Sequence, residues 1–109
     1  MGLTKTEIYT DRQNEIASFA KVIAHPARVA ILQYLLKHEQ CICGTLVEEI
    51  GLAQATISQH LKELKSVNLI KGNIEGTSVC YCINLNVYKK IQKLFNELLG
   101  RDIKLNNNC

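Results

Sequence analysis

The stretch GLAQATISQHLKELKSVNLIKG, residues 51–72, decides how this chain folds. From Gln54 to about Val67, Ile57, Leu61 and Leu64 stand at i, i+4 and i+7, one apolar stripe of an amphipathic helix with Gln54, Thr56, Gln59, Lys62 and Glu63 outward. Just upstream, Leu46, Val47 and Ile50 spell a short helix between Cys43 and Ile50, and Gly51 suits the left-handed cap that ends it. Just downstream the period changes to two. Val79, Tyr81 and Ile83 alternate with Cys80, Cys82 and Asn84, and Glu75-Gly76 precedes them as a hairpin turn. Two helices joined by a tight turn containing glycine, followed by a β-hairpin, predict a helix-turn-helix with a wing.

Outward from this centre the chain returns to helical period on both sides. Ile8, Ile16, Phe19, Val22 and Ile23 give helix one, from about Glu7 to Ile23. Pro26 suits the first position of helix two, Pro26 to about Lys37, whose run of Val29, Ile31, Leu32, Leu35 and Leu36 implies deep burial. After the wing, Val87, Ile91, Leu94, Phe95 and Leu98 make helix five, which stops before Gly100. The expectation is a mainly α winged helix-turn-helix of five helices over residues 1–99, with a flexible tail, RDIKLNNNC, completing residues 100–109. A 109-residue chain buries only about two-thirds of the surface that unfolding exposes, so a subunit interface would help it. The amphipathic helices one and five frame the middle and are the expected homodimer interface.

Composition agrees with a globular domain, at 47% hydrophobic and 21% charged residues. No apolar run approaches the roughly 18 residues of a membrane span and the first residues lack a signal-peptide core, so a cytoplasmic protein with no membrane partner is expected. Five cysteines are an odd number and, in a reducing cytosol, do not read as a disulfide framework. The net charge of +3 is mild, but Lys62, Lys65 and Lys71 cluster where the second helix of the motif ends.

In a helix-turn-helix the second helix enters the major groove with its N-terminal residues at the base edges. Here these are Gln54, Thr56, Ser58, Gln59 and His60. Glutamine pairs bidentately with adenine and threonine reaches a thymine methyl, so the residue types suit base reading, and Lys62, Lys65 and Lys71 suit phosphates. A polar face is also what any solvated helix presents. The ordered series of short helix, tight turn, Gln/Thr/Ser/His-rich helix and hairpin favours double-stranded DNA as the partner.

VIAHPARVAIL (22–32) and GLAQATISQHLKELKSVNLIKG (51–72) resemble the ArsR family of bacterial regulators, and the resemblance extends from about residue 15 to residue 99. It implies a homodimeric winged-helix repressor that leaves its operator when an inducer binds. Ala53 and Ala55 stand where relatives often carry Ser and Pro, which removes a helix-capping oxygen whose loss commonly costs about 1 kcal/mol. The wing, KGNIEGTSVCYCIN, lacks the arginines that many relatives carry, leaving Lys71 as its main phosphate contact.

EQCICGTL (39–46) resembles the family's thiolate motif, in which cysteines at the start of the third helix bind arsenite or a soft divalent metal such as Cd, Pb or Zn. Cys41 and Cys43 match two of its positions, and Leu46 stands where some relatives carry a third cysteine. Cys109, His38, an external thiol or a donor from a second subunit are candidates for the missing ligand. On a helix, residues i and i+2 point about 200° apart, so one ion bound by both sulfurs would distort the helix start. A thiol-redox or persulfide sensor of the same fold is the alternative, since exposed low-pKa thiols serve both chemistries. The bland reading is two small buried residues. Cys80 and Cys82 share one face of a strand, and packing of that face against helix four is expected. His25 reads as a helix-start residue. Helix five carries Glu97 as its one acid and no His, which argues against a zinc site there, and no metal is needed for folding. Without a phosphate loop, C-x-x-C, nucleophile elbow or HExxH, the chain does not read as an enzyme. A protein-interaction module that binds no DNA is the more distant alternative.

Overall fold

Pro26 opens one helix and Gly51, at positive φ, closes another. The computed structural model describes residues 8–38, 40–44, 46–75 and 78–104, the side chains of residues 43, 74, 75 and 78 excepted. The order is α1 (Asp11–Ile23), α2 (Pro26–Lys37), β1 (Ile42–Cys43), α3 (Leu46–Ile50), α4 (Gln54–Ser66), β2 (Ile70–Glu75), β3 (Ser78–Ile83) and α5 (Leu85–Leu99).

Helix α1 starts four residues later than hydrophobic spacing suggests, because Thr10 and Gln13 form a reciprocal capping box. Gln13 N–H donates to Thr10 Oγ1 at 3.1 Å, and Thr10 N–H donates to Gln13 Oε1 at 2.9 Å. Ile8 lies ahead of α1, beyond the break at residues 9–10, and is exposed. Helix α2 has the expected bounds, with Pro26 at its first turn and His25 as N-cap, Nδ1 accepting from Ala27 N–H at 3.0 Å. Gly51 closes α3 at φ +81°, and its N–H donates to Val47 O at 2.9 Å, which ends the first helix of the motif where expected.

The third helix is shorter than expected. Residues 42–43 form strand β1 instead, and α3 begins at Leu46. The sheet order is β1-β3-β2, antiparallel throughout, with Ile42 opposite Tyr81 and Cys43 opposite Cys80 on one side of β3, and Asn73 opposite Cys80 on the other. The wing is therefore a hairpin with a third short strand. Of the expected turn Glu75-Gly76, Glu75 is instead the last residue of β2, paired with Ser78, and position 76 lies outside the described residues.

Ile31, Ile57 and Leu64 are fully buried and tie α2 to α4, and Phe19, Leu35, Leu61, Leu69, Ile70, Ile91 and Leu94 complete the core. The sheet contributes Ile42, Ile70, Tyr81 and Ile83 to it. Helices α1 and α5 pack on each other and are bridged by Arg12–Glu97, at 2.9 Å, and Glu15–Lys90. No helix among the described residues is long and apolar enough to cross a membrane.

Candidate nucleic-acid interface and cysteine site

Helix α4 separates its two faces cleanly. Ile57, Leu61 and Leu64 sink into the core, while Gln54, Thr56, Ser58, Gln59, Lys62 and Lys65 are exposed. Two local bonds hold the polar side chains in place: Gln54 Nε2 donates to Ser58 Oγ at 3.1 Å, and Gln59 Nε2 donates to Glu63 Oε1 at 3.3 Å. A base edge would replace these single bonds with its own donors and acceptors. Ala53 is the N-cap and provides no side-chain bond, as its identity requires, so no side chain of the cap residue offsets the positive end of the helix dipole. Lys71 is exposed at the start of β2, next to the end of α4, and completes the cationic side of this surface.

His60 does not belong to it. The residue is 7% exposed, its Nδ1 accepts from Arg28 Nε at 3.1 Å, and its ring lies 4.4 Å from that of His25. Arg28 in turn donates from Nη1 to Val22 O at 3.0 Å. Burial, reinforced by the charges of His25 and Arg28, lowers the His60 pKa below the ordinary value of 6.5. The assignment of His60 to base reading is thus corrected: it is a neutral acceptor that joins α4 to the α1–α2 junction. Its position three residues after Ile57 and four before Leu64, on the edge of the buried stripe, was the sequence signal for this.

The cysteine site also differs from expectation. Cys41 and Cys43 lie at and just before a strand rather than at a helix start, so the 200° divergence of i and i+2 on a helix does not apply. Strand alternation puts positions 41 and 43 on one face, and the register puts Cys80 and Cys82 of β3 on that same face. Cys41 is joined to Cys82 by a disulfide with a Cα–Cα separation of 4.4 Å, the distance of a directly opposed, non-hydrogen-bonded antiparallel pair. Asn73 Nδ2 donates to both sulfurs, at 3.6 Å to Cys41 and 3.8 Å to Cys82. Cys80 is fully buried, yet the cysteine face is opposite to the one that gives Tyr81 and Ile83 to the core, and β3 packs against α2. The expected packing of Cys80 and Cys82 on helix four is therefore replaced by pairing with the segment before α3. His38 is exposed, with its ring 4.6 Å from that of Tyr34. Among the described residues no group of three or more His, Cys, Asp and Glu side chains is arranged to hold a metal ion. Cys109 and the Cys43 side chain lie outside the described residues.

Comparison with known proteins agrees with this geometry. Residues 25–71, which hold α2 through the start of β2, match the family model described as bacterial regulatory protein, arsR family. The chain is 33% identical over 82 residues to the transcriptional repressor PagR of Bacillus anthracis, covering 75% of this chain and 82% of that protein. It is similar to the crystal structure of NolR from Sinorhizobium fredii, with a TM-score of 0.65 and 28% identity, covering 94% of this chain and 100% of that one. The homodimeric winged helix-turn-helix DNA-binding domain of Mb0332 from Mycobacterium bovis shares the fold, with a TM-score of 0.61 at 24% identity over 90% of this chain and 97% of that one. With its helix-turn-helix and wing in the same order as in these relatives, the chain belongs to the ArsR family of bacterial regulatory proteins.

Proposed function

We propose that this protein is a transcriptional repressor that binds dyad-symmetric operator DNA as a homodimer and leaves it when arsenite or a soft divalent cation engages Cys41 and Cys43. The observation that carries the DNA-binding part is the exposed row Gln54, Thr56, Ser58 and Gln59 at the start of α4, beside Lys62, Lys65 and Lys71. Two such helices would address successive major grooves about 34–36 Å apart. Homodimerisation is supported by Leu98 and Leu99, exposed at the end of α5, and by Ile8 and Tyr9, exposed ahead of α1, which the antiparallel Arg12–Glu97 and Glu15–Lys90 pairs bring to the same end of the molecule.

Sulfur donors suit a soft thiophile, and a strand presents Cys41 and Cys43 together better than a helix does. Cys41 reaches such a ligand only after the Cys41–Cys82 bond is reduced. That bond favours a second reading, a thiol-redox repressor of the same fold.

Fluorescence anisotropy of the reduced protein on DNA from upstream of its own coding sequence tests both, with arsenite, cadmium, zinc, hydrogen peroxide and a persulfide donor added separately. Release by arsenite or cadmium that a Cys41→Ser/Cys43→Ser variant lacks would support the first reading. Release only by oxidant or persulfide, reversed by dithiothreitol, would support the second. No salt-sensitive DNA binding in any state would refute both and leave a protein-interaction module.

A further inference from the structure

We propose that Arg28 is a positioning residue for sequence-specific DNA binding: through His60 it fixes the rotation of α4 about its own axis, and hence which outward side chains meet a base edge. The proposal rests on the DNA-binding half of the repressor reading and assigns to it a residue that lies off the DNA surface.

The guanidinium of Arg28 is a fork between two helices. Its Nη1 donates to Val22 O, in the last turn of α1, at 3.0 Å, and its Nε donates to His60 Nδ1, on α4, at 3.1 Å. Arg28 itself stands in the first turn of α2, two residues after Pro26, so one side chain ties three helices together. His25 adds a second contact. Its Nδ1 is held by Ala27 N–H, and its ring lies 4.4 Å from that of His60.

The rest of the inner face of α4 is held by Ile57, Leu61 and Leu64, and apolar burial has no preferred direction. It tolerates a small roll of the helix; a hydrogen bond does not. His60 stands one turn after Thr56, where the buried stripe borders the outward row, so its bond to Arg28 resists that roll. A roll of about 10° would carry a side-chain tip about 5–6 Å from the axis sideways by about 1 Å, twice the roughly 0.5 Å range of good hydrogen-bond lengths. Gln54, Thr56 and Gln59 would then miss their base edges. Lys62 and Lys65 need only bring charge near a phosphate and would keep their contacts. Loss of the anchor therefore costs discrimination between sequences more than general affinity for DNA.

The anchor also gives discrimination a pH dependence. Nδ1 accepts from Arg28 only without a proton; a proton there makes it a donor facing a donor. The charged groups about the junction are Lys21 of α1, His25, Arg28 of α2 and Glu63 of α4. Lys21, Arg28 and Glu63 line one pocket, and it is His25 and Arg28 whose charge acts on His60. Glu48 and Glu49 of α3 and Lys71 of β2, on the other elements packed against α4, are exposed.

The full-length protein would be titrated by fluorescence anisotropy against its upstream DNA and against an unrelated duplex of equal length, at one salt concentration. Arg28→Lys keeps the charge and loses the planar fork; it should weaken binding to the upstream DNA about tenfold, the worth of one base contact, and leave the unrelated duplex within about twofold. His60→Leu should do the same, whereas His60→Asn, whose Oδ1 replaces Nδ1 as acceptor, should keep the wild-type preference. From pH 7.5 to pH 5.5 that preference should fall for wild type and hold for His60→Asn. Urea midpoints identify a variant that does not fold, and the others then decide. Equal losses on both duplexes, His60→Asn no better than His60→Leu, or parallel pH profiles would each overturn the positioning role. Wild-type protein with no preference for the upstream DNA refutes the repressor reading instead.

Discussion

Restoring the cap that α4 lacks should stabilise the protein without touching its core. Ala53 already has the extended backbone of an N-cap, φ −62° and ψ 152°, and is exposed, so a serine there meets no new neighbour and needs no backbone change. Its hydroxyl would accept from the N–H of Ala55 or Thr56, two groups of a first turn that has no side-chain acceptor at Ala53. Such caps contribute about 1 kcal/mol over alanine, and glycine recovers part of that. For a chain of 109 residues this corresponds to a rise in Tm of about 4–5 °C. Circular dichroism melts at one fixed protein concentration should rank Ser above Gly above Ala. An Ala53→Asp variant separates stability from function: its carboxylate caps equally well and complements the helix dipole, yet on the proposed reading it would stand where the recognition helix meets DNA phosphates. Its Tm should rise while its DNA affinity falls. The reverse experiment is available in α1, where Thr10→Ala removes a cap that is already made and should cost about 1 kcal/mol. Unchanged melting for both Ala53→Ser and Ala53→Asp would refute the reasoning, because it would mean that the first-turn N–H groups are satisfied in some other way.

Further outcomes follow from the same geometry. Leu64 is fully buried, so Leu64→Ala should cost about 2–5 kcal/mol and take DNA binding down with the fold, as urea melts and anisotropy together would register. Gln59→Ala should leave the urea midpoint in place and relax discrimination at one base position by about 1–3 kcal/mol, measured on operator variants. Lys62→Ala and Lys71→Ala should each lower the slope of log affinity against log salt by about 1, whatever the DNA sequence. Because the folded His60 pKa is depressed below 6.5, the folded state holds fewer protons than the unfolded one below that pH. Its contribution is full above pH 6.5 and is lost as the pH falls from there through the lowered value. Urea midpoints at pH 7.5, 6.5 and 5.5 should fall more steeply for wild type than for His60→Gln, and parallel curves would count against a buried neutral His60.

Most of the fold that rests on local signals was legible in the sequence. Pro26 can only open a helix, Gly51 tolerates the left-handed turn at φ +81°, and Ile57, Leu61 and Leu64 leave α4 one way to face the core. The outward row from Gln54 to Gln59 follows from that stripe. The misread positions are those settled by partners far along the chain. Two residues have no period, so β1 exists only because β3 pairs with it some 40 positions later; the disulfide at Cys41, just before it, spans a sequence separation of 41. His60 carries the chemistry of a base-reading residue, but His25 and Arg28, more than 30 positions upstream, claim its ring and Nδ1. The late start of α1 has a local cause, the Thr10–Gln13 box, which starts the helix inside the stretch that apolar spacing spans.

The same non-local pairing joins the cysteines to the DNA-reading face. On a helix start, Cys41 and Cys43 would act only through the axis of α3. Just before and within β1 they sit at the sheet instead, whose third strand is a ladder of two residue pairs. Strand β1 adjoins both ends of the candidate DNA surface, α3 through the short link after Cys43 and Lys71 across β3. A bistable element that both ligand chemistry and DNA binding can bias is what coupling between two sites requires, and β1 is short enough to be one.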